Sequence, residues 1–394
     1  MVRSLRPAGV VGTRNEGDMK RHTALRRLLA AAILTGACAP AFQAAVRAEP
    51  ELCRTGPVAF YVPEAGAHRA ALDRWCAAVG PAVFVPARSA AMDVERITSE
   101  PDDSATIVLP VADSVLIVAW NNHVGGGALE RFVDDLRAGR LTGGDSVHHF
   151  VLLLQEVYRS GPEVPALGTD MLYAGEIDAA SVSGNRTDIA DWAASHPELA
   201  VFYAPSMRNG AQSGVDAPED RGSAIVTSLP FAEPVAYELP VVRQRRVVAA
   251  GVVAGRTSAG EPWYLHVASV HLENRPEGAR NPERARLEQA HWLLDALPDS
   301  GLAVLGGDMN TWMRGPDEVV VWRARQAYPD TPPIPTGPTY QQAGGVLRMY
   351  LDYLFFRTDD ATVTGYRRVP DTYGSDHFPV LAWVHLPRRG GGQE

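Results

Sequence analysis

Cysteine is scarce in this chain, with three in 394 residues, and no Cys/His cluster has the spacing of a zinc site. Long apolar runs are missing too. Outside the N-terminal segment, nothing is long and apolar enough for a transmembrane helix. There is no internal repeat and no long low-complexity stretch. Several catalytic signatures are absent. No G-x-S-x-G elbow argues for a serine hydrolase, and no G-x-x-x-x-G-K-[ST] loop for a P-loop NTPase. No H-E-x-x-H pair argues for a zincin, and no G-N-H-[DE] element for a binuclear metallophosphatase.

The N-terminus reads as an export signal. Met19 is a better start than Met1. Lys20, Arg21, Arg26 and Arg27 precede an apolar run from Leu28 to Ala39, and "VRA" ending at Ala48 offers small residues for cleavage. A secreted, extracellular or periplasmic protein is expected. The rival is lipidation at Cys38, for which the leucine of "LTGAC" stands one place too far upstream. Basic residues are also few once this segment is removed. Residues 1–48 carry eight Lys/Arg against two Asp/Glu, which leaves 29 against 44 and a net charge of −15. Tight, sequence-independent polyanion binding relies on clustered Lys/Arg and is disfavoured, although a local basic groove stays open. Cys53 and Cys76 remain, and in an oxidising compartment they are candidates for a disulfide. The alternative is two free buried thiols.

What is present is a 46% hydrophobic, 21% charged composition typical of a globular protein. Residues 49–104 read as a small appendage and linker, 105–388 as the main domain and 389–394 as a tail. Repeated apolar runs of strand length end in polar residues, and helices are expected at Leu129–Arg137, Ile189–Ser195 and Asn281–Leu297. This is an α/β arrangement with strands outnumbering helices. Acid, amide and imidazole groups recur where the runs end. Asn121 follows "LIVAW", Glu156 follows "LLLQ", and His271 sits in "VASVHLEN". Asp308 and Asn310 follow "VLGG", Asp352 lies in "MYLDYLFF", and Asp376 and His377 stand in "GSDHFPV". Each alone has an ordinary structural explanation, such as a turn, a cap or a satisfied core histidine. Asp352 differs, because a carboxylate inside an apolar strand needs a partner. Together the residue types suit metal-assisted phosphate-ester hydrolysis. Carboxylate and amide oxygens ligate Mg²⁺ or Mn²⁺, a carboxylate orients water, and imidazoles meet the phosphate.

These motifs, in this order over roughly residues 113–386, resemble the endonuclease/exonuclease/phosphatase superfamily, whose fold is DNase I-like. The resemblance implies a four-layer sandwich of two mixed β-sheets flanked by helices. It implies Glu156 as main metal ligand with Asn121 and Asp376 nearby. Asp308 would activate water and Asn310 would position it. His271 and His377 would contact the phosphate, and Asp352 would orient His377. In-line water attack would leave no covalent intermediate. Ser223 stands where many relatives carry Asn and is given no role. Arg243, Arg245 and Arg246 in "VVRQRRV" divide evenly between a solvated edge strand and a phosphate contact. A nuclease-like phosphodiesterase, acting as a monomer, is the leading expectation. A lipid or small-molecule phosphoesterase comes second, and a catalytically inactive binding protein lower.

Overall fold

The apolar runs become strands buried on both faces. In β4 (Ser114–Asn121), Val115, Ile117 and Ala119 enter one apolar cluster, while Leu116, Val118 and Trp120 enter another. A strand of this kind needs cover on both sides. The computed structural model supplies it, and describes residues 46–47, 58–62, 81–88, 109–162, 164, 186–208, 219–242, 244–274, 282–312, 314–342 and 345–387. Cys38, Cys53, Cys76, Arg243 and the expected signal segment, linker and tail lie wholly or mainly outside these residues.

Two seven-stranded sheets face each other. The first runs β1 (Val46–Arg47), β2 (Ala59–Val62), β8 (Phe231–Glu238), β9 (Val247–Arg256), β10 (Pro262–His271), β11 (Ala303–Asp308), β14 (Asp352–Arg357). The second runs β15 (Thr362–Arg368), β16 (Val380–His385), β4, β5 (Phe150–Ser160), β7 (Glu219–Thr227), β6 (Ala200–Arg208), β3 (Val83–Val85). Both are mixed: β10 and β11 are parallel in the first, β4 and β5 in the second, and antiparallel pairs surround them. A short ribbon, β12 (Tyr340–Gln342) with β13 (Leu347–Met349), stands beside the sandwich.

The inner faces share one core that includes Ile117, Leu153, Phe202, Ile225, Val267, Val304 and Leu354. Helices α1 (Leu129–Arg137) and α2 (Ile189–Ser195) cover the outer face of the second sheet through Phe132, Leu136 and Trp192. Helices α3 (Pro282–Ala296) and α4 (Val319–Ala327) cover the first through Trp292, Leu293, Val320 and Val321. The result is the expected α/β/β/α layering. α4 was not expected from the sequence; the other three helices fall within a residue of their expected bounds.

Candidate active site

Strand register builds the site. Across three neighbouring strands, His271 pairs with Asp308 and Asp308 with Asp352, so three functional side chains form one row at the end of the first sheet. Gly307 makes this approach possible: it has φ +146°, and a Cβ there would stand 1.9 Å from the Val270 carbonyl oxygen. In the second sheet Asn121 pairs with Gln155, and the ladder slips between Leu154 and Val157. Glu156 sits at that bulge with φ +50°. Bulges re-aim side chains beside active sites. Among the described residues, seven non-glycine positions have positive φ. Glu156, Asn310, His123, Val124 and Tyr373 are five of them, all at or next to the site. Strain concentrated in this way marks a functional region.

Hydrogen bonds tie the two sheet ends together. Asn121 Nδ2 donates to Asp308 Oδ2 at 3.0 Å, and the Asn310 backbone N–H donates to Asp308 Oδ1 at 2.8 Å. Asp352 Oδ2 meets His377 Nδ1 at 2.8 Å, while the other Asp352 oxygen is buried without a partner. Both imidazoles turn Nε2 toward Asp308 Oδ2, His271 at 3.4 Å and His377 at 3.9 Å. These separations are too long for good hydrogen bonds, so both nitrogens stay available to a ligand. The loop that carries Asp376 and His377 is laced from several sides. Ser375 Oγ donates to the Asn121 carbonyl and accepts from the His377 N–H, and Trp120 Nε1 donates to the His377 carbonyl. The Tyr340 ring lies 4.9 Å from the His377 ring.

The two imidazoles are driven in opposite directions. Burial alone would lower His377, but the Asp352 carboxylate beside it prevails and raises it to about 10. His271 falls well below its ordinary value through burial, reinforced by the positive charges of Arg246, His377 and Arg221. Arg246 Nη1 lies 3.1 Å from His271 Nδ1. A guanidinium can only donate, so Nδ1 accepts and the ring proton sits on Nε2. Burial pushes the Asp308 carboxyl up to about 7, against the pull of His377. Asp376 is raised by burial but held below the ordinary range overall, first by His123, whose Nδ1 lies 2.6 Å from Asp376 Oδ1.

All eight expected site residues therefore gather at one end of the sandwich. Asn121, Asn310, His271, His377, Asp308 and Asp352 are buried; Glu156 and Asp376 are half-buried. Sequence reasoning missed His123, Arg221 and Tyr340. A charged residue within "DRGSAIV" was the available signal for Arg221. The idea of a solvated arginine strand is corrected for the two described members. Arg245 is 2% and Arg246 3% exposed, because they lead into β9, an interior strand paired with β8 and β10 rather than a free edge. Ser223 Oγ donates to the Val247 carbonyl at 2.9 Å, a structural contact.

Oxygen-rich donors dominate, which suits a hard divalent cation. Asp308, Asp352 and His377 place ligand atoms within 4.8 Å of one another, a group capable of coordinating a divalent metal. Glu156 and Asp376 add carboxylates at the mouth, where Glu156 acts on His123, Arg221 and Tyr340 through its field.

A mixed two-sheet sandwich with acids, amide and imidazoles at its strand ends defines a metal-dependent phosphoesterase. The family model described as Endonuclease/Exonuclease/phosphatase family matches residues 105–377, and the chain belongs to that family. Among solved structures, it is similar to an endonuclease/exonuclease/phosphatase from Beutenbergia cavernae DSM 12333. Identity is 18%, coverage 70% of this chain and 72% of that one, and TM-score 0.49. A family protein from Leptotrichia buccalis C-1013-b shows 15% identity, 69% and 98% coverage and TM-score 0.43. Sphingomyelinase C from Streptomyces griseocarneus shows 15%, 69% and 99%, and 0.39. No curated protein matches.

Proposed function

We propose that this enzyme hydrolyses a phosphate ester of a lipid or small molecule, by direct attack of water on phosphorus. The convergence of Asn121, His271 and His377 on the Asp308 carboxylate carries the reading. Asp308 orients the water and accepts its proton, a role helped by a carboxyl raised toward neutrality. Asn121 and the Asn310 N–H fix that carboxylate, one on each oxygen. His377, held cationic by Asp352, and His271, a neutral Nε2–H donor, both stabilise charge developing on the phosphoryl oxygens. The water oxygen bonds to phosphorus and the P–O ester bond breaks, with no enzyme-bound intermediate. Glu156, Asn121 and Asp376 would hold Mg²⁺ or Mn²⁺. A divalent cation there supplies Lewis-acid polarisation of the phosphoryl group.

Cation placement favours a small or lipid substrate over nucleic acid. The two arginines that act on His271, Arg221 and Arg246, are both buried. Of the more exposed arginines, Arg131, Arg137, Arg140 and Arg314 are each paired with a carboxylate; Arg88 and Arg348 have none among the described residues, but they stand on different elements, after β3 and on β13, rather than in a row. A nucleic-acid groove needs unpaired cations in a row along its surface. The basic, then apolar N-terminal segment adds export from the cytoplasm to the proposal.

The test is a panel on the purified chain: plasmid DNA, RNA, bis-p-nitrophenyl phosphate, sphingomyelin vesicles and sugar phosphates, each with Mg²⁺ and with EDTA. Metal-dependent turnover of a lipid or small-molecule ester, lost in Asp308→Ala, is expected. Activity that survives EDTA or Asp308→Ala would refute the mechanism. Efficient cleavage of DNA or RNA alone would refute the substrate class.

A further inference from the structure

Elsewhere in this chain, buried arginines have acids beside them. Arg159 meets Asp220 at 2.5 Å, Arg286 meets Glu318 at 2.6 Å, and Arg245 lies 3.5 Å from Glu238. Two buried arginines break the pattern, and both act on His271. Arg221, on β7, is 5% exposed. Its side chain makes one hydrogen bond, from Nη2 to the weakly accepting Met207 Sδ at 2.9 Å, and its Nε has no partner. Arg246 is 3% exposed and bonds only neutral acceptors, Gln244 Oε1 at 2.6 Å and His271 Nδ1 at 3.1 Å; its Nε is also without a partner. Neither forms an ion pair within 4.0 Å among the described residues. Glu156 acts on Arg221 through its field, without contact.

A buried charge without a counter-ion is expensive, and proteins keep one where a ligand completes it. A second positive charge raises the cost further: Arg221 is lowered to about 10, chiefly by burial, with Arg246 adding to it. The missing partner is therefore an anion. On His271 the Nε2 edge faces Asp308 and the Nδ1 edge is taken by Arg246, so a second anion finds its free donors on Arg221 rather than on that ring. Guanidinium groups match phosphate oxygens in geometry and in charge.

We infer that Arg221, backed by Arg246, forms an anion subsite beside His271 that receives a second phosphate group of the substrate, one that is not cleaved. The inference rests on the phosphoesterase reading for the word substrate, but the subsite itself is independent of turnover. It narrows the substrate class to compounds carrying two phosphates within a few bonds of each other. Arg246 has a double part, as it both adds charge to the subsite and fixes the tautomer of His271.

The test is calorimetric binding of inorganic phosphate and of pyrophosphate to the full chain in EDTA, where no hydrolysis runs. A failure of catalysis therefore leaves this measurement intact. Wild type should prefer pyrophosphate by roughly tenfold or more, the worth of one charge-assisted contact. Arg221→Met should erase that preference while its melting temperature without anions stays equal or rises, since the lone charge is gone. Arg221→Lys should keep part of the preference, and Arg221→Gln serves if the methionine variant does not fold. Fructose 1,6-bisphosphate, and phosphatidylcholine vesicles carrying a diphosphorylated phosphatidylinositol, separate a free ligand from a headgroup. Binding of either source, weakened in Arg221→Met, supports the subsite. No preference for pyrophosphate in wild type, an unchanged preference in the variants, or binding of neither bisphosphate overturns it.

Discussion

His271 and His377 face one carboxylate in different charge states, one neutral and one cationic, and their surroundings decide which is which. Asp352 makes His377 a cation, while burial, reinforced by Arg246, keeps His271 neutral and Arg246 fixes its Nε2–H tautomer. Asp352→Asn should therefore lower kcat by about 100-fold or more with little change in KM, because the imidazole proposed to meet the phosphate loses its orientation and charge. The same variant has a stability signature. The imidazole is ordinary, near 6.5, in the unfolded chain and raised to about 10 in the fold. The folded state holds the proton more tightly. Its contribution is fully present below about 6.5 and is lost as pH rises through about 10. Thermal melts in EDTA between these limits should fall with pH more steeply in wild type than in Asp352→Asn. Parallel slopes would remove Asp352 as the source of the shift. At this scale the sequence was informative where chemistry conflicts with context, as with an acid inside "MYLDYLFF". It left Arg246 between a solvated strand and a phosphate contact, because strand alternation tells which face a side chain takes and not what waits across the gap.

Secondary-structure elements act on the site through register and close approach. Gly306 and Gly307 bring β11 against its neighbours: a Cβ on Gly306 would meet Leu354 and Leu153, and one on Gly307 the Val270 carbonyl oxygen. Flexible side chains can yield at the first position, but a backbone carbonyl paired in a ladder cannot. Gly307→Ala should destabilise the fold by at least about 2 kcal/mol, from left-handed strain plus displacement of β10, and shift Asp308 out of line with His271. Urea unfolding and turnover should fall together, and a stable, active Gly307→Ala protein would show that the strands slide freely here. The legibility of elements follows the same physics. Long apolar runs such as β4 and β5 were readable, and so were α1 to α3. β6 and β8 were not, because each contains a proline, Pro205 and Pro234, which argues against a strand. Both prolines sit at ladder irregularities that absorb the missing donor. α4 hid behind Val319, Val320 and Val321, a β-branched run whose helix is fixed by packing on α3 and β14 rather than by propensity.

The whole molecule gathers negative charge at one mouth, and that gathering can be measured. That β10, β11 and β14 would lie side by side was not legible, since the row joins segments far apart in sequence; the two-sheet architecture came from the family resemblance. Once assembled, the fold sets Glu156, Asp308, Asp352 and Asp376 around one cleft, with the unfolded chain holding them apart. Like charges brought together repel, and a divalent cation that binds only the native arrangement relieves the repulsion and stabilises the fold by mass action. At a hundredfold excess over its dissociation constant this amounts to about 2.7 kcal/mol, several degrees in melting temperature. The protein in Mg²⁺ should therefore melt above the protein in EDTA. Two sets of ligands compete for the ion, Glu156 with Asn121 and Asp376, or the compact group of Asp308, Asp352 and His377. The second has a handicap, because His377 shares its Nδ1 proton with Asp352 and keeps its Nε2 proton well above neutral pH. A protonated imidazole has no lone pair to give. Glu156→Gln should thus abolish most of the Mg²⁺ increment while leaving the EDTA melt equal or higher, and Asp352→Asn should retain the increment. The reverse pattern would place the ion in the compact group and make His377 a ligand rather than a phosphate donor.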